Sequence, residues 1–131
     1  MIRLVTGPPG AGKTTYVKSH AKPVDAIIDL DLLRDFVGGD ATLAARIRAA
    51  MEKQMGKSTR DVWVVRTLID PRDREHFIRR HNVAEVIELR ASRETLVERA
   101  RLRNSPPDVY SAIDKWLQLN PGTGLSGSEE R

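Results

Sequence analysis

A short apolar strand that runs into Gly-Pro-Pro-Gly-Ala-Gly and then turns polar at Lys-Thr-Thr leaves a chain few folds to choose from. Residues 5–17 read VTGPPGAGKTTYV. A packed core has no use for such a run of glycine and proline, whereas a phosphate chain does. The pattern G-x-x-x-x-G-K-T is filled by Gly7, Gly12, Lys13 and Thr14. Glycines let the backbone fold into a nest whose N–H groups point at an anion, and the helix behind it adds its positive dipole end. Gly7, Pro8, Pro9, Gly10, Ala11, Gly12, Lys13, Thr14 and Thr15 are therefore the expected nucleotide-binding residues. Lys13 is expected to face solvent in the empty loop and to reach the β- and γ-phosphates of ATP. The Thr14 hydroxyl is expected to sit on the Mg²⁺ that bridges them. A plain Gly/Pro surface turn is the competing explanation. It leaves the strand before the motif (Ile2, Leu4, Val5) and the helix-forming residues 15–20 behind it without a reason.

The rest of the chain alternates in the way such a loop requires. Apolar runs at 2–6, 26–30, 62–66 and 84–89 are short and near-continuous, as in strands buried on both faces of a parallel sheet. Helical patterns separate them. Asp40 caps a helix with Leu43, Ile47, Met51 and Met55 on one face and Gly56 at its end. Asp70-Pro71 opens another through Phe77 and Ile78 to Asn82, Ser92 a third, and Pro107 a fourth carrying Val109, Ile113, Trp116 and Leu117. The expected fold is α/β: a three-layer P-loop NTPase or kinase fold, its small parallel sheet of about four strands flanked by helices. One domain over 1–119 is expected, followed by a polar Gly/Ser-rich tail at 120–131.

Composition narrows the function. The 131 residues contain no cysteine, which excludes disulfides, thiolate chemistry and zinc-thiolate sites. No apolar run is long enough to span a membrane. The sequence opens directly into a strand, so no secretory leader is expected, and the setting expected is cytoplasmic. Lys and Arg outnumber Asp and Glu by 22 to 18, a balance that suits a polyanionic partner, although a bound nucleotide accounts for part of it.

Two further clusters bear on chemistry. In AIIDLDLLRDFVGG, Asp29, Asp31, Arg34 and Asp35 gather where the second strand ends and a helix begins. Ligands of parallel sheets bind at such strand ends. Asp31 and Arg34, three apart, project to one side of a helix, where a carboxylate can take a hydroxyl proton and a guanidinium can grip a substrate anion. Either Asp29 or Asp31 can instead be a helix N-cap beside a surface ion pair. The D-x-D motif of haloacid-type phosphatases fits poorly, because Leu33 stands where that motif wants Thr or Val. In SRETLVERARLRNSPPDVY, Arg99 and Arg103 lie four apart ahead of a Ser-Pro-Pro break. The segment 92–107 is either a lid that closes over ATP or a solvated helix face with Glu94 and Glu98 as ion-pair partners.

Taken together these motifs resemble the small P-loop kinases, and most closely the phage-type polynucleotide 5′-kinases. The resemblance rests on Gly7 to Thr15, Asp31 with Arg34, and Arg99 with Arg103, and extends weakly over VWVVRTLIDPRDRE. It implies that Asp31 activates the acceptor hydroxyl, Arg34 holds a substrate phosphate and the lid arginines contact ATP phosphates. It also implies ATP and Mg²⁺ as cofactors and a nucleic-acid acceptor, at a 5′-OH end or a hydroxymethylated base of phage DNA. A nucleoside or nucleotide kinase, or an ATPase that switches a protein partner, would use the same loop. The chain departs from the pattern at Arg66, where such kinases often carry an aspartate. Asp29 then becomes the expected second metal-site residue beside Thr14, and Arg66 either marks a lost acid or contacts phosphate. One strand fewer than the resemblance implies is expected from these 131 residues, and none of them is expected to form a phosphatase half.

Overall fold

The computed structural model describes residues 1–121; the tail expected at 120–131 therefore lies outside the described residues except for its start. Strands β1 (Ile2–Thr6), β2 (Ala26–Ile28), β3 (Val62–Val65) and β4 (Glu85–Glu88) form one sheet in the order β2-β3-β1-β4. All its pairings are parallel, with Leu4 level with Val64 and Val86. Helices α1 (Lys13–His20), α2 (Leu30–Phe36), α3 (Ala41–Gln54), α4 (Pro71–His81), α5 (Arg93–Leu102) and α6 (Pro107–Leu119) connect and follow the strands. A 3₁₀ turn, Met55–Lys57, extends α3.

Alternation along the central strands splits the core in two. Ile2, Leu4, Val62 and Val64 face one way and meet Met55, Phe77 and Ile28. Val5, Trp63 and Val65 face the other way, against Val17 of α1, Leu96 and Ala100 of α5 and Ile113 of α6. Both faces of the sheet are thus covered, which is the physical reason its central strands are apolar throughout. The outer strands escape this. At the sheet edge, Glu85 and Val86 of β4 are exposed, so burial on both faces does not extend to that run.

Local signals set most helix boundaries. Asp40, Asp70 and Ser92 each accept a backbone N–H at the start of α3, α4 and α5, and Asn82 ends α4 in the left-handed conformation (φ 54°). The row expected to face inward from α3 holds at Met51 and Met55, which pack in the core, and fails at Leu43. Leu43 is 43% exposed while Ala44 is fully buried, because the smaller side chain lets the helix approach β2 and α2. Asn120 is tied down as well. Its amide donates to the carbonyls of Ile69 and Trp116 at 2.9 Å each and its Oδ1 accepts from Arg74 at 2.7 Å, which holds this residue against the domain. No helix among the described residues is long and apolar enough to cross a membrane.

Candidate active site

The loop between β1 and α1 wraps the start of α1. At Gly7 (φ 153°), a Cβ would lie 2.7 Å from the carbonyl oxygen of Leu89, so no side chain fits where the loop passes the end of β4. Gly12 caps α1 with φ 91°, a left-handed conformation that suits glycine, and no side chain caps the helix. The first-turn N–H groups of α1 are left for a ligand, at the end of the helix where the dipole favours anions. A cleft of about 560 Å³ opens in front of them.

Lys13 does not face solvent. Its ammonium is folded back into the loop, donating to the carbonyls of Gly7 (2.8 Å) and Pro8 (2.9 Å). The loop curls round so that these carbonyls reach the Lys13 ammonium. Desolvation there pulls its pKa down to about 8, against the opposing pull of Asp31 and Asp29.

The two aspartates separate. Asp29 is buried (2% exposed) and fully engaged. One carboxylate oxygen accepts the backbone N–H groups of Asp31 (2.8 Å) and Leu32 (3.4 Å), capping α2. The other accepts the Thr14 hydroxyl at 2.6 Å. Asp31 is exposed, lines the cleft and caps nothing. Arg34 lines the cleft with it, and no ion pair joins the two among the described residues. The second strand stops at Ile28 rather than at residue 30 because Asp29 begins the cap.

The paired arginines of α5 also diverge. Arg103 lines the cleft, together with Asn104, Ser105 and Pro106 of the turn that follows. Arg99 instead donates to the carbonyl of Gly10 at 2.7 Å and lies outside the cleft lining. The expectation that both sit on one helical face breaks at the helix end, since Arg103 is already the C-cap of α5. Leu96 and Ala100 anchor α5 in the core, so the part of 92–107 that lines the cleft is its end, Ala100 and residues 103–106.

Arg66 lines the cleft just beyond β3. Its guanidinium lies 3.4 Å from Glu52 and over the Phe77 ring, 5.5 Å from the centroid. Sequence reasoning missed Arg48 of α3, which lines the same cleft. Its signal was the row Ala44, Arg48, Glu52 at four-residue spacing, beside the apolar row that drew attention instead. Thr67 was missed too; its carbonyl accepts the buried Thr6 hydroxyl at 2.7 Å, joining the ends of β1 and β3 below the cleft.

A family model described as an AAA domain matches residues 2–117. The chain belongs to this AAA domain family. As an AAA domain it shares its fold with solved kinases. A shikimate kinase from Bacteroides thetaiotaomicron superposes with a TM-score of 0.58 at 20% identity, over 90% of this chain and 77% of that one. A shikimate kinase from Acinetobacter baumannii, solved with shikimate, gives 0.57 at 18% identity, over 90% and 74%. Among curated proteins nothing matches this AAA domain in sequence. The fold is that of the small P-loop kinases, a parallel sheet between two helical layers with a phosphate loop after its first strand.

Proposed function

We propose that the chain is an ATP- and Mg²⁺-dependent phosphotransferase that moves the γ-phosphoryl group of ATP to a hydroxyl of a nucleic acid, in the first instance a 5′-OH end, as in phage-type polynucleotide 5′-kinases. The observation that carries this reading is the division between Asp29 and Asp31. Asp29 spends both carboxylate oxygens on the α2 cap and on Thr14. Asp31, two residues on, lines the cleft with no capping task, which suits a proton acceptor.

The residues act as follows. Lys13 leaves the carbonyls of Gly7 and Pro8 for the β- and γ-phosphates, which also meet the N–H groups of the first turn of α1. Thr14 and Asp29 offer an oxygen-only donor pair, 2.6 Å apart, that fits a hard cation such as Mg²⁺. When bound there, the ion offsets charge on the phosphate oxygens. Asp31 orients the acceptor hydroxyl and takes its proton as the new O–P bond forms. The bond from the γ-phosphorus to the bridging oxygen breaks, and ADP departs. Arg103 faces the transferring group and Arg34 holds an anion of the acceptor.

One observation favours a second reading, a nucleoside or nucleotide kinase: the cleft of about 560 Å³ has the size of small-molecule pockets, which run from about 300 to 1,000 Å³. Incubation with γ-labelled ATP and a panel of oligonucleotides, nucleosides and nucleotides separates the two. Label on 5′-OH oligonucleotides is expected, with affinity falling by about 0.7 log units per log unit of salt for each strand phosphate contacted. Label on free nucleosides with no salt response selects the small-molecule reading. ATP consumption without label on any acceptor overturns both and leaves an ATPase switch.

A further inference from the structure

Arg48 stands out because its surroundings do not explain it. It is half-buried on α3, lines the cleft, and has no hydrogen bond, ion pair or ring partner among the described residues. The acid one turn along, Glu52, could have paired with it at i, i+4 spacing. Glu52 is turned instead to Arg66, 3.4 Å away, and Arg66 is further held over the Phe77 ring. One carboxylate therefore stands beside two guanidinium groups and pairs with Arg66, leaving the second positive charge at Arg48. Burial and the nearby Arg66 both disfavour that charge, while Glu52 and Asp29 act on it only from beyond ion-pair distance. A guanidinium held like this is completed by an oxyanion that arrives with a ligand, and its planar fork matches phosphate or carboxylate with two parallel bonds.

We propose that Arg48, with Arg66 held in the same cleft by Glu52 and Phe77, forms an oxyanion-binding subsite on the acceptor side of the cleft, so that the substrate carries a phosphate or carboxylate besides the hydroxyl it presents to Asp31. Only the word acceptor rests on the phosphotransfer reading; the subsite itself rests on the charge arrangement. A polynucleotide end meets this demand through the phosphate on its own 3′ side, and an uncharged nucleoside does not.

The test is calorimetric titration of inorganic phosphate into the full chain loaded with Mg²⁺ and a non-hydrolysable ATP analogue, comparing wild type with Arg48→Met. Saturable binding is expected in the wild type. In the variant it should be roughly 30-fold weaker or more, the usual scale for removing one partner of a desolvated charge pair. Affinity for the ATP analogue should stay unchanged. Because the wild-type charge has no partner, Arg48→Met should melt no lower than wild type. Equal phosphate binding in both proteins, or none in the wild type, overturns the subsite, as does a lowered melting temperature with phosphate binding intact. Parallel titrations with thymidine 3′-phosphate, shikimate and thymidine distinguish a phosphate from a carboxylate source, and thymidine should show no dependence on Arg48. Phosphate binding that depends on Arg48 in a protein that labels no acceptor would reject the phosphotransfer reading and keep the subsite.

Discussion

On one side of the cleft the wall is the phosphate loop and the start of α1, through Pro9, Gly10 and Gly12 to Thr15. On the other side it is side chains brought from α2 (Asp31, Arg34), α3 (Arg48) and the end of β3 (Arg66). The first side is a local device, dictated by glycines that only one loop shape satisfies. The second exists only once the sheet has placed three separate elements around one opening. A backbone nest suits a group common to all nucleotides, whereas gathered side chains can be tuned to one acceptor. On the proposed reading, specificity would be carried by the second side.

The largest expected effect sharpens this contrast at the two aspartates. Asp31→Asn should bind ATP normally, melt near wild type and lose on the order of 10²–10⁴ in transfer rate, the usual worth of a positioned base. Stopped transfer with calorimetric ATP binding checks it. If Asp29→Asn proves the more damaging for transfer while melting unchanged, the base is Asp29 and the comparison must be redrawn.

Next come the arginines of α5. Arg103→Ala should slow transfer by roughly 10²-fold with little change in melting temperature, the scale of one donor lost from a developing charge. Arg99→Ala releases the Gly10 carbonyl, so it should weaken nucleotide binding more than it slows transfer. Equal profiles for the two in steady-state kinetics would return Arg99 to the same side of the cleft as Arg103.

Lys13 gives a pH signature belonging to the backbone side alone. Its folded pKa, about 8, lies below the ordinary 10.5 because the empty loop desolvates it. The unfolded chain thus binds more protons between those values, and the empty protein gains stability from this group as pH rises through that window. Phosphates favour the charged amine, so nucleotide affinity should have the opposite trend. It should be level below about pH 8 and weaken by up to about tenfold per pH unit above it. Calorimetry in buffers of different ionisation enthalpy should show proton uptake at pH 9. A flat affinity from pH 7 to 10 would mean that Lys13 stays charged in the empty loop.

The smallest effect is a control. Leu43→Ala on the outer side of α3 should change stability by no more than about 0.5 kcal/mol, as for other exposed positions. A larger loss in chemical denaturation would put the inward row back on Leu43.

What the sequence made legible follows the same division. Loop, strands and helix starts depend on residues adjacent in the chain, so the glycines of the phosphate loop and the caps Asp40, Asp70 and Ser92 could be read directly. The assignment of the cap to Asp29 rather than Asp31 depends on where β2 ends, which sheet pairing with β3 decides. Arg48 was illegible because its meaning lies in what it lacks, and Glu52 turns away from it only through Arg66, fourteen residues on. The exposure expected for Lys13 failed because the loop presents inward carbonyls, and those of Gly7 and Pro8 accept its ammonium.

The loop's neighbours have one more consequence. Gly7 rests against the Leu89 carbonyl, Ala11 N–H donates to Pro8 at 3.1 Å, Arg99 holds Gly10, and Thr14 is hydrogen-bonded to Asp29. The loop is thus fixed from the end of β4, from α5 and from the start of α2 by contacts within the protein. Its conformational entropy is lost on folding rather than on binding, so a nucleotide meets a preorganised cradle and few backbone torsions remain to be frozen. Lys13, by contrast, is held by two hydrogen bonds to carbonyls and can leave them by side-chain rotation, which is fast compared with any movement of the fold.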